Sequence, residues 1–236
     1  MGLLPCASGG DRVSAPETTQ AIAVDPTHPE WRPSLRGIPD VIAFACSIPA
    51  TVILAQHAAS ALGAFCAIVF GLGLACMLGM SAVYHPIDWS PPRRAVLARF
   101  DYASIYLLIG ASYTPFCLAT DLAFGPELLG IVWACSLLGA GYSLFRKHVS
   151  RAIRAGVYVF LGVAMVPNVL NLYAAIPGRA FAFSLLGGAA YITGALVYVA
   201  RWPNPVPRHY GHHEVFHLFV FAGAACHYAA IWEFIA

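Results

Sequence analysis

Seven runs of predominantly apolar residues, each about 20 residues long, constrain this chain more than any other feature. A helix of that length crosses the roughly 30 Å hydrocarbon core of a bilayer. The runs fall at residues 38–58, 61–84, 100–119, 127–145, 153–173, 180–200 and 213–234. They are divided by breaks that mix Pro or Gly with basic residues, among them PIDWSPPRR, RKHVSRAIR and RWPNPVPRHYG. In lipid every backbone polar group must find its partner within the protein, which leaves helices or closed barrels. Unbroken apolar runs lack the alternation of barrel strands. The expected fold is an all-α, polytopic seven-transmembrane helix bundle over residues 37–236, behind a flexible cytoplasmic tail at residues 1–36. Charged residues make up only 10% of the chain, against roughly a quarter in soluble domains, so a soluble core is excluded.

Charge placement orients the bundle. Twelve of the thirteen Lys and Arg residues fall in the tail (Arg12, Arg32, Arg36) and in alternate loops (Arg93, Arg94, Arg99; Arg146, Lys147, Arg151, Arg154; Arg201, Arg208), leaving Arg179 alone opposite. The face that keeps them is normally cytoplasmic, so the N-terminus is expected inside and the C-terminus outside. That orientation excludes G-protein-coupled receptors. The absence of an intramembrane lysine excludes a retinal protein, since Lys147 lies in a loop. A formal net charge of +2, scattered along the chain, is no footprint for nucleic acid. The seven cysteines include no C-x-x-C and read as small packing residues, and the polar first 36 residues hold no apolar core of a signal peptide.

Ionisable groups inside spans cost roughly 2.5–3.5 kcal/mol each on insertion scales, so each one is a functional candidate. Ser81 and His85 close the second run, Asp101 opens the third, and His212, His213, Glu214 and His217 open the seventh. The directions of the runs bring all of these to one leaflet. The pairs Ser81/His85 and His213/His217 are spaced i, i+4 and so share a helix face. A catalytic zinc takes three protein ligands and leaves a fourth position open to water, and His85, His213 and His217 supply three imidazoles. Asp101 is placed to handle a proton, and Ser81 to hydrogen-bond the water or a developing oxyanion. Singly, each residue is better explained by hydrogen bonding across helices or, for Asp101, by pairing with Arg99 or Arg208. The arrival of several at one depth favours a metal. A bis-histidine haem is the chemical competitor, but Ser81 and Asp101 suit a metal-bound water better. His227 lies about 15 Å further along its helix than His217 and reads as a packing histidine. His212 reads as interfacial. Asp40 and Glu214 are candidates to support the ligands, with Asp40 also readable as a solvated residue at a helix start.

The runs SAVYH at 81–85, RFDYASIYLLIGASYTPF at 99–116 and HHEVFHLFVFAGAACHYAAI at 212–231 resemble the bacterial hemolysin III family, which groups with the adiponectin and progestin receptors and, more distantly, the alkaline ceramidases. The resemblance runs from about residue 33 nearly to the end. It implies a seven-helix bundle in the bacterial inner membrane, His85, His213 and His217 as zinc ligands, and Asp101 and Ser81 beside the zinc-bound water. In the first span, where family members commonly carry Glu, Asn and His, this chain offers only Asp40 and Ser47.

The leading functional expectation is a zinc-dependent hydrolase-like protein acting on a membrane lipid, an amide or ester that enters the bundle from the side. A second, non-enzymatic expectation keeps the zinc as a structural clamp in a regulator of membrane fluidity. A pore-forming cytolysin is a third, opposed by the lack of a continuous polar stripe on any span. No protein partner is legible. Small-residue pairs such as Gly71 with Ala75 and Gly110 with Thr114 permit close helix contact, within one chain or between chains.

Overall fold

The computed structural model describes residues 33–146 and 149–236. The expected tail lies outside the described residues as far as residue 32, as do Lys147 and His148. The helices are α1 (Ile38–His57), α2 (Ala61–Tyr84), α3 (Pro91–Leu118), α4 (Gly125–Phe145), α5 (Arg151–Gly162), α6 (Val169–Ala175), α7 (Gly178–Ala200) and α8 (His212–Ile235). A 3-10 segment, Val163–Asn168, joins α5 to α6, and Arg151–Ala175 together form one span, giving seven helical spans long and apolar enough to cross a membrane. The protein is a multi-pass membrane protein built as a seven-helix bundle.

Two elements differ from the apolar pattern, each for a local reason. The third helix begins at Pro91 and not at residue 100. Proline is tolerated in a first helical turn, where its missing N–H has no partner to lose. The following RRAVLAR is helix-forming but too charged to register as apolar. The fifth span is not one continuous helix. Pro167 removes a backbone donor and crowds the preceding turn, and the chain tightens into 3-10 geometry around it. Backbone groups freed inside a membrane need partners, and Tyr113 on α3 supplies them. Its hydroxyl is shared between the Leu161 and Gly162 carbonyls at 3.0 and 2.9 Å, and accepts from the Met165 N–H at 3.0 Å.

Helix crossings are made close by small residues, since apolar burial gives little drive to association within lipid. A Cβ on Gly73 would fall 2.4 Å from Ala111 Cβ, and one on Gly71 would meet Thr51 of α1. Gly110 lies under Trp133 of α4. These contacts are within one chain. Phe70, Leu54, Val132 and Ile231 fill the interior, while Leu72, Leu138, Phe145 and Leu170 point outward as the lipid-facing surface.

The odd number of spans separates the two ends by composition. Arg36, Arg94, Arg99, Arg146, Arg151, Arg154 and Arg201 gather around one cleft at the end where α1 and α8 begin. Arg179 stands at the other end, 3.8 Å from Glu233, near the point where the Ala59 N–H bonds the Ile235 carbonyl. Residues 33–37 are tied to the loop before α8 by the Ser34 N–H on the Arg208 carbonyl and the Leu35 N–H on the His209 carbonyl.

The α2–α3 crossing leaves no room for a larger side chain at Gly73. Gly73→Val should lower stability by about 1–3 kcal/mol through overpacking, read as a reduced thermal midpoint of the detergent-solubilised protein. An unchanged midpoint would show that the crossing has slack.

Candidate metal centre

The site is assembled at the basic end from four helix segments. His85 caps α2, its N–H bonded to the Ser81 carbonyl at 3.0 Å. The chain turns at Pro86 and packs there on Gly37. Gly37 has φ of 82°, and a Cβ on it would fall 2.5 Å from Pro86 Cδ, so only glycine seats the start of α1 against the end of α2. Asp40 follows in the first turn of α1. Asp101 sits within α3, and His213 and His217 stand one turn apart at the start of α8.

Helix α8 is fixed at its origin by Glu214. This buried carboxylate accepts from the Gly211 N–H through Oε2 at 2.9 Å and from Arg36 Nε through Oε1 at 2.8 Å. Glu214 thus satisfies a free N–H of its own helix and neutralises the arginine that precedes α1. Tyr210 donates to the Glu214 carbonyl at 3.1 Å. Burial, and then the Glu214 charge, push the Tyr210 phenol above its ordinary value. His212 is buried within the protein, with its Nδ1 3.0 Å from the Asn204 side-chain oxygen.

The three expected imidazoles converge. His213 Nε2 lies 3.4 Å from His85 Nε2 and 2.9 Å from His217 Nε2. Among the described residues His85, His213 and His217 form a group whose ligand atoms all lie within 4.8 Å of one another. An ion bound tetrahedrally by imidazole at about 2.0–2.1 Å requires nitrogen–nitrogen edges of roughly 3.3–3.4 Å. Of the three edges, His85–His213 meets this distance, His213–His217 needs an opening of about half an ångström, and His85–His217 lies within 4.8 Å, adjustments within reach of side-chain rotation. The cluster can hold a metal ion.

The tautomer needed for ligation is imposed from behind. His217 Nδ1 lies 2.7 Å from Asp40 Oδ1, and the same oxygen accepts from Ser81 Oγ at 2.7 Å. With its Nδ1 proton given to Asp40, a neutral His217 presents a lone pair at Nε2 toward the cluster. Asp40 and Ser81 are each only 2% exposed, and together they close the inner side of the site. The other side is open: His85, His213 and Asp101 line the cleft. Asp101 Oδ2 stands 3.9 Å from His85 Nε2, and it does not form the alternative pair with Arg99 or Arg208.

Ser81 therefore lies beside the histidines with its hydroxyl committed to Asp40. The part played by Asp40 was the least legible in the sequence. The available signal was a single carboxylate one turn inside an apolar run, at the same depth as the histidines. Ser47, the other polar candidate of the first span, donates to the Phe44 carbonyl of its own helix at 2.7 Å. His227 lies away from the cluster, in edge contact with Phe116 and Tyr191.

A seven-helix membrane bundle whose first, second, third and last spans meet at a metal-competent histidine cluster defines the class of protein. The Haemolysin-III related family model matches residues 32–228, and the chain belongs to that family. It is 34% identical over 187 residues to Hemolysin-3 of Bacillus cereus, spanning 76% of this chain and 80% of that protein. To the Hemolysin-3 homolog of Bacillus subtilis (strain 168) it is 32% identical over 183 residues, spanning 76% and 83%. The similarity reaches the Heptahelical transmembrane protein ADIPOR2 of Oryza sativa subsp. japonica, 32% identical over 180 residues, spanning 69% of this chain and 79% of that one.

Removing a carboxylate that orients a ligating histidine typically lowers metal affinity about 10- to 100-fold, and Asp40→Ala is expected to do so here. Competition with a chelator of known affinity measures the change. Full retention of affinity would mean that His217 holds its orientation without Asp40.

Proposed function

We propose that the protein is an integral-membrane, zinc-dependent hydrolase-like protein acting on lipid amides or esters. One observation carries the reading: the histidine cluster is closed on the side of Asp40 and Ser81 and open to the cleft on the side of Asp101. A clamp needs no open side, whereas a reacting site does. His85, His213 and His217 would hold the zinc, which when bound supplies an acidified water and polarises a carbonyl.

The remaining work falls to side chains. Asp40 holds the His217 proton at Nδ1 and so keeps the ring turned toward the site. Ser81 occupies the second approach to the same carboxylate oxygen and fixes it in place. Asp101 faces the cleft, and its carboxylate takes the proton released as water adds to the substrate carbonyl and returns it to the leaving group. The positive-inside preference supports a cytoplasmic basic end and with it a site in the inner leaflet. A lipid then reaches it sideways. The lining residues Leu138 and Ile153, exposed at 74% and 62%, give acyl chains an apolar passage.

A non-enzymatic regulator of membrane state with a structural metal is the second reading, and packing favours it. Helix α8 packs extensively on α7 but touches α1 and α2 only sparsely, so the cluster is a principal tie between the first two spans and the last. The two readings differ at Asp101. Under the hydrolase reading Asp101→Asn abolishes fatty-acid release from a panel of amide and ester lipids while the zinc content, by elemental analysis, stays that of the wild type. His217→Ala loses both. Under the regulator reading Asp101→Asn leaves function intact and His85→Ala unfolds the protein. Absence of any fatty-acid release by wild-type protein carrying stoichiometric zinc would remove the hydrolase reading.

A further inference from the structure

The cleft beside the histidine cluster has a volume of about 1440 Å³ and holds six arginines that the metal centre does not use: Arg94, Arg99, Arg146, Arg151, Arg154 and Arg201. Among the described residues none of the six has a carboxylate within ion-pair distance, and Asp101 is the only acid in the wall. The positive-inside preference accounts for the end they occupy. It does not account for the way they are held. The Arg154 guanidinium lies 3.4 Å from the Tyr102 ring centroid and donates to Tyr198 Oη and the Val149 carbonyl, each at 3.2 Å. Arg94, Arg146 and Arg151 lie 5.5, 5.6 and 5.6 Å over the rings of Tyr84, Tyr142 and Tyr198. A guanidinium steadied on an aromatic face offers an anion the N–H groups it has not already donated within the protein, and a guanidinium fork fits phosphate oxygens two at a time.

Apolar side chains share the walls with these arginines. Val96, Leu138 and Ile153 line the cleft and are exposed at 47%, 74% and 62%. A soluble anion has no use for such a wall, but an acyl chain does. We propose that this cleft binds an anionic phospholipid, its phosphate held by Arg151 and Arg154 and its chains leaving between α4 and α5. The inference rests on the lateral lipid entry described above and adds the headgroup class; it is independent of turnover.

Native mass spectrometry of the full-length protein, purified in detergent and offered equal amounts of phosphatidylglycerol and phosphatidylcholine with identical chains, tests it. Wild-type protein should retain phosphatidylglycerol preferentially, and each of Arg151→Gln and Arg154→Gln should reduce that preference about fivefold, the worth of one arginine at an anionic surface. Arg93 is exposed at the same end but lies outside the cleft, so Arg93→Gln should leave the preference unchanged. Arg151 is itself exposed, and it decides the matter should Arg154→Gln lower the melting temperature. Equal retention of the two lipids, or an equal loss in Arg93→Gln, overturns the proposal. Displacement of phosphatidylglycerol by millimolar inorganic phosphate also overturns it and marks a site for soluble anions. Selective retention without any fatty-acid release leaves this inference standing and removes the hydrolase reading. Release without selectivity does the reverse.

Discussion

The proton shared by His217 Nδ1 and the Asp40 carboxylate is the contact on which the site's geometry depends. Three imidazoles brought together in a low-dielectric interior repel when charged and compete for protons when neutral. Asp40 resolves the competition by fixing which nitrogen of His217 is protonated. It also determines where α1 must lie, because a buried carboxylate needs its partners within hydrogen-bond reach. Gly37 at its positive φ, Pro86 against it, Ser81 on the same oxygen, and Arg36 bridging to Glu214 all serve to bring the start of the first span to the start of the last. The bundle is closed by polar contacts at this end and by apolar and small-residue packing elsewhere.

Much of this was legible in the sequence because the membrane simplifies the code. Seven apolar runs gave seven spans, and the i, i+4 spacing of His213 with His217 placed both on one face. Direction along the chain brought His85 to the same depth. The roles of Asp40 and Glu214 were less legible, because a carboxylate near a helix start reads equally well as solvated. Only the packing of α1 on α2 shows that Asp40 is enclosed. The length of α3 was hidden for the opposite reason: its first turns are helical yet charged, and hydropathy reports lipid contact, not helicity. The break in the fifth span carried a signal in Pro167, but the phenol that makes it tolerable comes from 54 residues earlier, a distance that no local pattern spans.

The two functional readings weigh the same cluster differently. As a tie between spans, its value lies in the helices it joins, and Asp101 is incidental. As a reacting centre, its value lies in the asymmetry between a wall of Asp40 and Ser81 and a mouth of Asp101 and arginines. The asymmetry is costly to a membrane protein: it maintains a polar cleft, edged with cations, beside exposed leucine and isoleucine. A purely structural metal would gain from closing that cleft, which is why the open side weighs toward chemistry.

The broken fifth span has a consequence for how the protein meets bilayers of different thickness. A 3-10 segment rises about 2.0 Å per residue against about 1.5 Å for an α-helix, so the six residues Val163–Asn168 advance about 12 Å where an unbroken helix would advance about 9 Å. Pro167 prevents the segment from rewinding, and the Tyr113 hydroxyl occupies the backbone groups that would take part. This span therefore reaches about 3 Å further across the bilayer than the same residues would as an unbroken helix, a surplus that a membrane span takes up by tilting.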